Sequence, residues 1–97
     1  MAEVPYYDSR ADWSLIPHHM RGAVERYVMH GIPPGSFLTA LINNDLREAV
    51  ARADDMNVNR LPDYVRFFYN SAPSGSWGHP DAVSQWTRRG GLSERTQ

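Results

Sequence analysis

The chain has neither cysteine nor lysine among its 97 residues. Without cysteine there is no disulfide framework and no thiolate metal site, and such a composition suits a reducing compartment. Without lysine, all ten basic residues are arginine, so every side-chain cation is a planar fork suited to carboxylates, phosphates and aromatic faces. No stretch approaches the roughly 18 to 20 apolar residues of a membrane span. The first dozen residues are acidic and aromatic and lack the basic start and apolar stretch of a secretory signal. A basic excess is missing too: the formal net charge is −1, which disfavours nucleic-acid binding and, equally, mimicry of DNA by a strongly acidic chain.

What is present is ordinary globular composition, 41% hydrophobic and 22% charged, in a length that makes one domain able to bury a core. The patterning predicts a compact all-α bundle of about four helices, with an N-terminal arm over 1–16, a helical domain over 17–90 and a flexible tail over 91–97. The first helix should run from about Pro17 to His30. Met20, Ala23, Val24, Tyr27 and Val28 recur at helical spacing, and Gly31 with Pro33–Pro34 forbids continuation. The second should be the longest, about Gly35 to Met56 and central to the bundle, on the stripe Phe37, Leu38, Leu41, Ile42, Leu46, Ala49, Val50 and Ala53. Asn43, Asn44 and Asp45 interrupt it with three weak helix formers. The third should run from about Leu61 to Ser71 with Leu61, Tyr64, Val65 and Phe68 inward and Phe67 and Tyr69 widening that face. The fourth should start at Pro80 and end by Arg89, before Gly90–Gly91.

Chemistry-bearing motifs are largely missing. His18, His19, His30 and His79 make no pair at the spacing that places two imidazoles on one helical face, so no metal site is expected. The run Asp55-Met56-Asn57-Val58-Asn59 begins like a calcium loop, but Arg60 and Arg66 stand where glycine and the closing glutamate belong. There is no nucleophile elbow and no Walker-type loop. The expectation is therefore a protein that is not an enzyme and needs no cofactor.

Three features stand out. Pro33-Pro34-Gly35-Ser36-Phe37 opens a helix, where free backbone N–H groups can receive an anion, or where a rigid turn and cap suffice. Asn43-Asn44-Asp45 with Arg47 is a polar cluster within an apolar stripe, suited to a polar ligand or to a buried polar bridge. Tyr6, Tyr7, Trp13, Tyr69 and Trp77 are aromatics beyond the inward faces, suited to a partner surface or to closing a small core. From these, Arg21, Gly35, Ser36, Asn44, Arg47, Arg66 and Tyr69 are the candidate ligand-binding residues. Arginine forks bind phosphate or carboxylate, asparagine offers a donor and an acceptor, and a tyrosine face stacks on a base. Tyr6, Tyr7, Trp13 and Trp77 are the candidate partner-binding residues, and the aromatic load suggests a homo-oligomer.

His19-Met20-Arg21-Gly22, Tyr27-Val28, Gly31-Ile32-Pro33-Pro34-Gly35, Phe37-Leu38, Asn44-Asp45-Leu46, Arg52-Ala53-Asp54, Phe68-Tyr69-Asn70 and Trp77-Gly78 form an ordered set over about residues 15 to 90. In order and spacing this set resembles a family of small uncharacterised proteins of tailed bacteriophages and prophages. The resemblance implies a viral accessory protein in the cytoplasm of a bacterial host, and it carries over no catalytic residue. In that setting the expected function is non-enzymatic counter-defence. The chain would either sequester a host defence signalling nucleotide or bind a host defence protein. The alternatives are a transcription or replication adaptor and a small virion-assembly protein.

Overall fold

A computed structural model describes residues 11–93. These residues form six α-helices: α1 (Arg21–His30), α2 (Ser36–Ile42), α3 (Leu46–Arg52), α4 (Asp55–Val58), α5 (Leu61–Ser71) and α6 (Pro80–Arg89). Short 3₁₀ turns at Trp13–Leu15, His18–Met20 and Gly91–Ser93 complete the architecture, and there is no strand among the described residues. The fold is all-α. No helix of the described residues is long and apolar enough to cross a membrane.

Each helix is shorter than the ~12–15 residues at which an isolated helix becomes even marginal in water, so packing must hold them. That packing centres on α2, where Phe37, Leu38, Ala40, Leu41 and Ile42 are all buried. Around it lie Val24, Tyr27 and Val28 of α1, Tyr64, Phe67 and Phe68 of α5, and Trp86 of α6.

Three of the four expected helices stop where glycine and proline place their ends, but the first opens later than Pro17, since His18–Met20 is a 3₁₀ turn and α1 starts at Arg21. Gly31 closes α1 in the left-handed conformation at φ 68°, and its N–H reaches the Tyr27 carbonyl at 2.9 Å. Pro62 and Pro80 sit in the first turns of α5 and α6. Gly90 closes α6 at φ 85°.

The long second helix is corrected: it is three helices, which raises the count from four to six. Asn44 adopts φ 65°. The Asp45 N–H reaches back to the Ala40 carbonyl at 2.9 Å and the Asn44 N–H to that of Leu41 at 3.0 Å. This is a Schellman closure with asparagine in the left-handed position that glycine usually takes. Asp45 then caps α3, accepting the Glu48 N–H at 3.3 Å. Asp54 caps α4 in the same way, accepting the Asn57 N–H at 2.8 Å. The three weak helix formers are the corner itself, and a second Asx cap makes another break.

The ends of α1 and α6 meet closely. A Cβ on Gly91 would lie 2.6 Å from both the Gly31 nitrogen and the Val28 oxygen. Gly91–Ser93, expected as the start of a tail, is thus a turn seated on α1, with Gly91 buried. The Trp86 indole N–H donates to the Tyr27 carbonyl at 3.0 Å, and the Tyr27 hydroxyl donates to the Ser76 carbonyl at 2.6 Å. Before α1, Ile16 is fully buried and Trp13 lies 4.9 Å from Phe67, ring to ring. The described part of the expected arm therefore packs on the core. Arg60 holds it there, donating to the Ser14 carbonyl at 3.0 Å.

Asn57 is one of two buried polar residues among the described residues. Its side-chain oxygen accepts the Tyr64 hydroxyl at 2.6 Å. Burial pushes the Tyr27 and Tyr64 phenols above the ordinary tyrosine range, so both remain protonated donors. Asn57→Ala strands the Tyr64 hydroxyl in the core and should destabilise by about 1–3 kcal/mol, whereas adding Tyr64→Phe to it should recover part of that loss. Urea midpoints of the two variants check this: a double variant weaker than the single one by a full additive step would show that the pair is not coupled.

Candidate functional site

The corner at Asn44 does more than turn the chain. It swings α3 away from the axis of α2 and opens a cleft between α3 and α5. The cleft has a volume of about 290 Å³ and is lined by Leu41, Asn44, Asp45, Leu46, Ala49, Leu61, Val65, Trp77 and Gly78. Three separate pieces of chain build it. The α2–α3 corner forms one end and α3 one wall. The first half of α5 forms the other wall. The loop before α6 supplies Trp77, whose ring packs 5.7 Å from Phe68, and Gly78, whose N–H donates to the Ile42 carbonyl at 2.6 Å. That last bond uses a carbonyl that the end of α2 would otherwise leave without a partner, and it fixes the tryptophan against the corner.

Two apolar side chains of the lining face water. Leu46 is 69% exposed and Val65 46%. Val65 and Tyr69, expected on or beside the inward face of α5, are corrected here. The core takes the flank of Tyr64, Phe67 and Phe68, and Tyr69 is 78% exposed. Val50, one turn beyond Leu46, is also exposed. Leu46 and Val50 are four apart on α3, as are Val65 and Tyr69 on α5, so each pair shares one face of its helix.

The candidate ligand residues divide. Asn44 lines the cleft. Arg47 and Arg66 do not; Arg66 lies 3.8 Å from Asp63, one turn back on α5. Arg21 braces the chain before α1, donating from Nε to the Ile16 carbonyl at 2.9 Å. Gly35 and Ser36 stand at the other end of α2 from Asn44, across a helix about 10 Å long at 1.5 Å per residue, and both are exposed. Of the candidate partner residues, Trp77 lines the cleft and Trp13 packs on Phe67 of its own chain. Tyr6 and Tyr7 lie outside the described residues. Leu46, Leu61 and Val65 enter the site although the apolar pattern places them in the core, and Asp45 enters it from the polar cluster that the sequence singles out. For Leu46 the available signal is the run of weak helix formers Asn43-Asn44-Asp45, which breaks the stripe and turns its second half outward.

Among the described residues no group of three or more histidine, aspartate or glutamate side chains is placed to hold a metal ion. The chain matches no protein-family model, no curated protein and no solved structure.

Proposed function

We propose that this chain is a non-catalytic binding protein that takes an apolar side chain of a protein partner into the cleft between α3 and α5. The observation that carries the reading is the lining itself. Leu41, Leu46, Ala49, Leu61, Val65 and Trp77 surround a space with two aliphatic side chains left in water at its mouth. Exposed apolar surface around a concave site is what a protein interface core requires, with tryptophan as the common anchor. At about 290 Å³ the cleft sits at the lower edge of the ~300–1,000 Å³ usual for small-molecule pockets. It is side-chain sized, and it offers no arginine to a phosphate. Of the two expected modes, protein binding is therefore favoured over capture of a nucleotide. The phage resemblance makes a bacterial host protein the partner to try first.

The test compares four tagged chains expressed in a bacterial host: wild type, Leu46→Arg, Val65→Arg and an Arg88→Ala control. Both cleft positions are exposed, so the unfolding free energy should stay within about 0.5 kcal/mol of wild type. A host protein retained by wild type and by the Arg88→Ala control, and lost from both cleft variants, would support the reading. Retention of the same proteins by all four chains would overturn it.

A further inference from the structure

We infer that the guest of this cleft carries a positive charge: an apolar stem tipped by an ammonium or guanidinium group, as a lysine or arginine side chain of the partner would supply. The inference rests on the reading of the cleft as a side-chain site and adds the sign of its guest. The formally charged residue of the lining is Asp45. One of its oxygens accepts the Glu48 N–H at 3.3 Å, and among the described residues its carboxylate makes no ion pair.

The nearest candidate cations in sequence are engaged or lie off the lining. Arg47 is outside it, Arg60 and Arg66 both lean on Asp63, Arg60 at 2.7 Å, and the His79 Nδ1 accepts the Asp81 N–H at 3.0 Å to cap α6. At the corner beside Asp45 the negative end of α2 and the positive end of α3 meet and oppose each other. Trp77 adds a ring face that attracts a cation. Leu46, Leu61 and Val65 suit the methylene stem of a long basic side chain, which buries its carbons while its head stays wet. An anion of the same shape would meet the unneutralised carboxylate and be repelled.

The probes are three six-carbon compounds that differ in the head group: hexylammonium, 1-hexanol and hexanoate. Each is titrated at neutral pH and low salt into the isotopically labelled full chain, read by amide chemical shifts. Hexylammonium should shift Asn44, Leu46, Ala49, Val65 and Gly78 and bind about three- to fivefold tighter than hexanol, the size of an exposed ion pair. Hexanoate should bind weakest, and the spread should shrink in high salt. Asp45→Asn keeps a good helix cap and should reduce hexylammonium to the level of hexanol. Equal binding of hexylammonium and hexanol to wild type, or an unchanged preference in Asp45→Asn, overturns the charge selection while the apolar cleft stands. No shift at the cleft from any probe overturns both. The ranking on wild type decides the matter even if the variant proves unstable.

Discussion

Gly91→Ala should lower stability by about 2–4 kcal/mol, which for a domain of this size is a fall of about 10–30 °C in melting temperature. Two causes add. Gly91 has φ 67°, where an L side chain is strained. Its added carbon would also fall 2.6 Å from two backbone atoms, the Val28 oxygen of α1 and the nitrogen of its closing Gly31, and backbone at a helix end has nowhere to retreat. Gly75 separates the causes: it has φ 88° but open space around it, so Gly75→Ala carries the conformational cost without the collision. Thermal unfolding followed by circular dichroism should show the Gly91 variant falling much further. Equal falls would mean that the two helix ends do not meet as closely as described.

Phe67→Ala should be the most damaging truncation, at about 3–5 kcal/mol. Phe67 is fully buried and meets Trp13 at 4.9 Å and Phe68 edge-on at 5.6 Å. Against a total of about 5–15 kcal/mol for a small domain, such a loss removes much of the folded margin. The 3₁₀ turn carrying Trp13 would lose its seat at the same time. Val65→Ala, two residues away on the same helix, should cost less than about 1 kcal/mol, because Val65 lines the cleft instead of the core. Urea midpoints of the two variants provide the check, and similar losses would place the core on the wrong flank of α5.

These two α5 residues also show where sequence reading succeeds and where it stops. The bounds of α5 and α6 were legible because proline and glycine act locally: Pro62 and Pro80 fit first turns, and Gly90 supplies the stop. The centrality of α2 followed from five apolar residues in seven. The division of the aromatic stripe on α5 was not legible. Val65 and Tyr69 flank one side of it and Phe67 the other, and only the position of neighbouring helices decides which flank is covered. The corner at Asn43-Asn44-Asp45 was half legible. Its poor helix propensity is plain, but the apolar period continues across it from Leu41 and Ile42 to Leu46 and Ala49. That continuity hides a reversal that depends on one residue taking φ 65°. The cleft inherits the difficulty, since its lining comes from three segments that are neighbours only after the chain has turned. Of the arginines that attracted a polar-site reading, Arg21 braces the chain before α1 and Arg66 pairs with Asp63, and none of the three lines the cleft.

Ala49 is the one fully buried side chain of α3, and the helix is otherwise held by its Asp45 cap and an exposed Glu48–Arg52 pair at 3.0 Å. Such a wall has little anchoring of its own, so its amide protons should exchange with solvent through local opening, well before those of α2 and α5. A guest seated in the cleft would supply the missing contacts and slow that exchange. Recognition would then be read as protection of seven residues that the free protein holds only loosely, and part of the binding free energy would be spent on ordering them.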